Sequence, residues 1–231
     1  MKRALVLSGG GSRGAYQCGA WQALSELGVR LDAVYGTSIG AVNAALVAQG
    51  DLNLALELWK NISVTQIINT DDEDFSIDRL ISGKRDIIPF ILNNARKFNM
   101  DIAPFEALLR KVVNESRVRA GGMQLGVMMA KVPQLSAKPV RLDEMPAGTL
   151  VDHLIASTAA FPVFPMREIG GERYIDGGFA DNMPVSMALK DGADEIIAVN
   201  LHPRPIHPQY LQQPLFAGNP SAARIGRLPQ F

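Results

Sequence analysis

Within its first fifty residues the chain repeats one pattern twice: a short apolar run, a turn containing glycine, then apolar residues at helical spacing. Arg3 to Leu7 reads as a buried strand. From Ala15 to Leu27 the residues Tyr16, Ala20, Ala23, Leu24 and Leu27 fall on a helical period, and Gly28 supplies a C-terminal stop. Leu31 to Gly36 reads as a second strand, and the small and apolar residues after Ser38 as a second helix closed by Gly50. Two strands and two helices alternating over so short a span predict an α/β fold with a mostly parallel sheet covered by helices. Loops after neighbouring parallel strands open at the same sheet edge, so the two glycine turns are expected to meet.

The rest of the chain extends that pattern. Met123 to Val132 reads as a third strand, Met166 to Asp176 as a hairpin turning at Gly170-Gly171, and Glu195 to Leu201 as a last buried strand. A domain over residues 1–201 is expected, with 60–118 as a cap or lid region. That region holds an acidic cluster, Asp71 to Asp74, and eight basic residues between Lys84 and Arg119. These charges read either as solvated helix faces or as a cap whose basic side faces anionic lipid. Six of the fourteen prolines fall after Leu201, so residues 202–231 read as an extended, proline-rich tail.

Composition removes several function classes. Apolar residues make up 47% of the 231, and charged residues 20%, which is globular rather than disordered. Lys plus Arg and Asp plus Glu number 23 each, so no net field favours nucleic acid. The one cysteine, Cys18, excludes an intrachain disulfide framework, and no zinc-ligand spacing is present. The apolar stretch Ala4 to Leu7 is too short for a signal peptide, and no run approaches the ~18 apolar residues of a membrane span. The expectation is a soluble cytoplasmic protein, with room for transient peripheral contact at the inner membrane surface.

The first glycine turn, "GGGSRG" from Gly9 to Gly14, satisfies a dinucleotide-binding spacing at Gly9, Gly11 and Gly14. The second strand, however, has its acidic residue, Asp32, at the wrong end to hold a ribose, and no Lys-Ser or Lys-Thr follows Gly14. The second turn, "GTSIG" from Gly36 to Gly40, is G-x-S-x-G at a strand-to-helix junction, the setting of a nucleophile elbow. Ser38 is therefore the candidate nucleophile, with Gly36 and Gly40 as the small neighbours its turn requires. Backbone N–H groups of Gly10, Gly11 and Ser12 can then form an oxyanion hole beside it. Such a loop would hold a transient oxyanion rather than a phosphate.

The residues leave the base open. His153 precedes an apolar helical stretch, and His202 and His207 lie in the tail, so each reads as structural or solvated. Asp176, before Gly177 and Gly178, reads on its own as a turn aspartate.

Four blocks in order, "GGGSRG", "GTSIG", "ASTAAFPVFP" (Ala156 to Pro165) and "DGGFADNMPV" (Asp176 to Val185), resemble those of the patatin-like phospholipases. The resemblance covers the chain from Met1 to about Leu201. It implies a three-layer α/β/α acyl hydrolase with a Ser–Asp dyad and no catalytic histidine, metal or cofactor. It further implies Ser38 as nucleophile, Asp176 of the D-G-G block as base, and Gly9, Gly10, Gly11, Ser12, Arg13 and Gly14 as the oxyanion loop. Asp181 is the second-choice base, and Arg13 either orients the loop or meets a lipid phosphate. The substrate implied is a phospholipid or lysophospholipid. Relatives continue in helices where this chain turns proline-rich, as a truncated chain would. The competing readings are a transacylase using the same dyad, a nucleotide-binding module built on Gly9 to Gly14, and a catalytically silent partner-binding domain.

Overall fold

A computed structural model describes residues 1–69 and 100–202. The strands are β1 (Arg3–Leu7), β2 (Ala33–Thr37), β3 (Gln124–Lys131), β4 (Ser136–Arg141), β5 (Arg167–Ile169), β6 (Glu172–Asp176) and β7 (Glu195–Val199). They form one sheet in the order β5-β6-β3-β2-β1-β7, with β4 also paired to β3. β7, β1, β2 and β3 run parallel, whereas β4 and β6 run antiparallel to β3. The sheet is thus a parallel core with an antiparallel side, flanked by helices, as the alternating pattern predicts.

The register on β3 decides where the loops go. β2 pairs Gln124 to Met128 and ends with Thr37 opposite Met128. β6 pairs Met129 to Lys131 and ends with Asp176 opposite Met129. β4 pairs Gly126 to Lys131 and so overlaps both partners. A strand has two edges, so β2 and β6 must share the edge that β4 leaves. They approach from opposite directions, and their C-terminal ends meet there.

Alternation along the strands sends Leu5, Leu7, Val34, Leu125, Val127 and Met129 into the larger core. Ala4, Val6, Ala33, Tyr35 and Met128 go to the opposite face, under the helix Val185–Lys190. Numbered among the described residues, the helices are α1 (Ala15–Glu26), α2 (Ile39–Gln49), α3 (Leu52–Asn61), α4 (Ala103–Val112), α5 (Glu115–Ala120), α6 (Leu150–Thr158) and α7 (Val185–Lys190). Every residue of α2 from Gly40 to Gln49 is buried, which is why, Asn43 and Gln49 apart, it is small and apolar all round.

Two details depart from the sequence reading. The inward face of α1 is Gln17, Cys18, Ala20, Trp21 and Leu24, whereas Tyr16 and Leu27 are 61% and 72% exposed. Hydropathy set the phase wrongly because buried Gln17 is polar: its amide donates to Ser8 C=O at 2.8 Å. β4 was not anticipated, because its sequence, SAKPVR, contains Pro139 and is largely exposed. Such a strand survives only at a sheet margin.

Of the expected cap, residues 70–99 lie outside the described residues, with the acidic cluster and Lys84, Arg85, Arg96 and Lys97. Asn69 N–H donates to Asp101 C=O at 2.8 Å, so the flanks of that stretch meet. In the described remainder, Phe105, Leu109, Val112 and Val118 are core residues. Arg110, Arg117 and Arg119 each pair with a carboxylate. Residues 203–231 of the tail likewise lie outside the described residues. Among the described helices none is long and apolar enough to cross a membrane.

At the sheet end opposite the loops, the Asp191 side chain is 4% exposed and ion-paired to Arg141. It accepts hydrogen bonds from Tyr35 at 2.7 Å and Gln124 at 2.8 Å. Burial pushes its pKa up, but the Arg141 and Tyr35 bonds more than offset this and hold it below the usual range. Asp191→Ala strands the Tyr35 hydroxyl and the Gln124 amide, so urea unfolding at pH 7 should show a loss of about 2–3 kcal/mol. A depressed carboxyl stabilises the fold above its unfolded pKa of about 3.9 and ceases to as pH falls through the folded value. The difference between wild type and variant should therefore shrink in acid.

Candidate active site

Only Ser38 separates β2 from α2. It has φ 55° and ψ −130°, a left-handed conformation rare outside glycine, with a typical cost of about 1–3 kcal/mol. The sharp turn explains the residues beside it. A Cβ on Gly36 would stand 2.2 Å from Gly40 C=O, and one on Gly40 2.4 Å from Leu7 C=O. Neither backbone contact admits a side chain. The Ser38 N–H donates to Ser157 Oγ at 2.8 Å, and its C=O accepts from Ala41 N–H at 2.8 Å.

β6 delivers Asp176 to the same point. The Ser38 hydroxyl donates to Asp176 Oδ2 at 2.5 Å, while Gly178 N–H donates to Oδ1 at 2.7 Å. Asp176 N–H donates to Ala159 C=O at 2.9 Å, which ties the end of β6 to the residues after α6. The residue is 8% exposed. Burial raises its pKa to about 6, against the lowering effect of the Ser38 and Gly178 bonds. A carboxylate so raised is a stronger base than an exposed one and is still ionised at neutral pH.

Asp181, the second-choice base, turns elsewhere: its carboxylate accepts from Met183 N–H at 3.1 Å and Ser186 Oγ at 3.4 Å. His153 is buried in α6 with Nδ1 2.8 Å from Thr149 C=O. His202 places Nε2 2.8 Å from the Arg13 guanidinium. His207 lies outside the described residues. Among the described residues no group of three or more His, Cys, Asp or Glu is arranged to hold a metal ion.

The glycine loop lies alongside. It leaves β1 through Ser8 to Gly10, forms a 3-10 turn over Gly11–Gly14, and runs into α1. A Cβ on Gly9 would stand 3.1 Å from Ser38 Cβ, so the loops after β1 and β2 meet as their parallel pairing requires. The Gly9 N–H is committed to Asn182 C=O at 3.2 Å. Gly11 opens the 3-10 turn, so its N–H precedes any intrahelical acceptor. The Arg13 Nε donates to Gly10 C=O at 3.2 Å. Beneath the loop, Asn43 donates to Gly14 C=O at 3.0 Å and to Gln17 Oε1 at 2.8 Å, and it accepts from Trp59 Nε1 at 3.0 Å.

Asn43, Asn182 and Ser157 escaped the sequence reading. Each lies inside a recognised motif or helix, but only contacts distant in sequence show what it holds. A buried polar residue within an otherwise apolar run is the available signal, and Asn43 in "GAVNAALVA" carries it.

The comparisons agree with this architecture. The chain belongs to the patatin-like phospholipase family, whose family model matches residues 5–189. It is 25% identical over 207 residues to patatin-like phospholipase domain-containing protein 7 of Rattus norvegicus, covering 87% of this chain and 14% of that protein. It is 27% identical over 203 residues to lysophospholipase NTE1 of Debaryomyces hansenii, covering 85% of this chain and 12% of that one. The chain thus spans a small fraction of those relatives. Among solved structures it resembles VipD from Legionella pneumophila, with a TM-score of 0.56, 18% identity, and coverage of 85% of this chain and 49% of that one.

A carboxyl raised by burial destabilises the fold once it ionises. Between about pH 4 and 6 the folded state keeps a proton that the unfolded chain has lost, so stability falls as pH rises through that window. Asp176→Asn is therefore expected to match wild type in urea unfolding at pH 4 and to exceed it at pH 8, by on the order of 2–3 kcal/mol. Lower stability of the variant at pH 8 would contradict this account of the carboxyl.

Proposed function

We propose that the chain is a serine lipid acyl hydrolase of phospholipase A or lysophospholipase type, with Ser38 as nucleophile and Asp176 as general base. The observation that carries this reading is the 2.5 Å hydrogen bond from the Ser38 hydroxyl to a buried carboxylate of raised pKa. Family membership and a relative named lysophospholipase support the substrate class.

In the first half-reaction Ser38 Oγ attacks the ester carbonyl as its proton passes to Asp176 Oδ2. The N–H groups of Gly10 and Gly11 stabilise the oxyanion, and each such donor is typically worth about 3 kcal/mol in the transition state. Collapse expels the alcohol, lysolipid or glycerophospho-alcohol, which takes the proton from Asp176. Water then attacks the acyl-enzyme while Asp176 accepts its proton, the fatty acid departs, and the proton returns to Ser38 Oγ. The scheme uses only groups of this chain, and a histidine has no part in it. Substrates at a lipid surface would require transient peripheral contact with it.

The test is fluorophosphonate labelling read by intact mass, with hydrolysis of a p-nitrophenyl ester in parallel. Wild type should label at Ser38, and Ser38→Ala and Asp176→Asn should each lose hydrolysis by about 10³-fold or more. The acid limb of kcat/KM should have its midpoint near pH 6, with activity rising as Asp176 ionises. Full activity in Ser38→Ala would reject the mechanism.

A further inference from the structure

The block "ASTAAFPVFP" carries no side chain with an assigned chemical role, yet two of its residues touch the backbone of both dyad members. Ser157, in the last turn of α6, is fully buried. Its hydroxyl donates to Met128 C=O at 2.7 Å and accepts the Ser38 N–H at 2.8 Å. Two residues on, Ala159 C=O accepts the Asp176 N–H at 2.9 Å.

Met128 is the last residue of β3 paired with β2, and Met129 the first residue in from β6. The ladder is interrupted between them, and the Ser157 oxygen sits at that interruption. It bridges β3 to the first amide beyond β2. One proton and one lone pair of the hydroxyl are thereby assigned, with the proton toward the carbonyl and the oxygen toward the amide. A chain of two such bonds strengthens both. A residue held at φ 55° persists only where its surroundings over-determine it, and this hydrogen bond holds the Ser38 backbone from outside its own strand and helix.

We propose that Ser157 is a positioning residue for the reaction, its hydroxyl holding the Ser38 amide so that Ser38 Oγ stays aligned with Asp176. The inference rests on the acyl hydrolase reading. It adds that α6 and the turn after it serve as the common reference to which nucleophile and base are both fixed.

The neighbouring residue provides a control. Thr158 is also buried, but its hydroxyl donates only to Leu154 and Ile155 C=O within its own helix. The experiment compares wild type, Ser157→Ala, Ser157→Thr and Thr158→Val by p-nitrophenyl ester kinetics and fluorophosphonate labelling, well below each melting temperature. Ser157→Ala should lower kcat and the labelling rate by about 10–100-fold with KM changed less than about threefold, as expected of a group that aims the nucleophile rather than binds substrate. Ser157→Thr, which keeps the hydroxyl, should recover most of the rate, and Thr158→Val should react like wild type.

If Ser157→Ala yields no folded protein, Ser157→Cys fills the site with a somewhat larger thiol that weakens both bonds, and it must show the same selective fall in kcat. An active wild type together with an equally active Ser157→Ala (or Ser157→Cys in its place) overturns the proposal and leaves the hydrolase reading intact. Equal slowing of Ser157→Ala and Thr158→Val also overturns it, since loosening of α6 would then account for both. A wild type inert to ester and probe alike removes the hydrolase reading, and this proposal with it.

Discussion

Along one edge of β3 the parallel strand β2 stops at Thr37, opposite Met128, and the antiparallel strand β6 stops at Asp176, opposite Met129. Everything at the candidate site follows from that head-to-head arrangement. Two strands that occupied different edges would put their last residues a full strand width apart. Sharing an edge, they leave Thr37 and Asp176 one ladder position from each other, and Ser38, the next residue, meets the Asp176 side chain at 2.5 Å. β4 enforces the sharing, because it fills the other edge of β3 over Gly126 to Lys131.

Packing then fixes what pairing brings together. The Gly36–Gly40 contact closes the turn too tightly for any side chain, and buried α2 presses its first turn against Leu7 and Ser8. The glycine loop is held from below by Asn43 and Gln17 and from the side by Asn182. Such buried polar contacts contribute modest net stability when made and cost more when broken, so they favour one loop geometry over alternatives. The raised pKa of Asp176 belongs to the same bargain between stability and chemistry: burial that makes the carboxylate basic also destabilises the fold around it.

Much of this was legible in the residues. Strands and helices follow hydrophobic patterning closely where both faces of the sheet are covered, as for β1 and β3, while the more exposed hairpin is legible from its Gly170-Gly171 turn. Periodicity failed on α1, where buried Gln17 serves a backbone carbonyl, and on β4, where an exposed strand has little apolar signal to read. Both failures have one cause: a backbone hydrogen-bond partner, Ser8 for Gln17 and β3 across a tight turn for β4, rewards residues that hydropathy scores as surface residues.

The sequence by itself determined the α/β class, the two glycine turns at strand ends, and Ser38 as the residue between strand and helix. These are local properties, set by side-chain period and by the steric demands of tight turns. Tertiary structure alone decided that β6 abuts β2 and that Ser157 reaches the Ser38 amide, and it sets Asp176, the residue that the D-G-G block implies, rather than Asp181 against Ser38. Those contacts join residues 119 to 138 positions apart, so no local pattern encodes them. They exist because strand register on β3, fixed by which side chains each face can bury, carries distant backbone segments to one point.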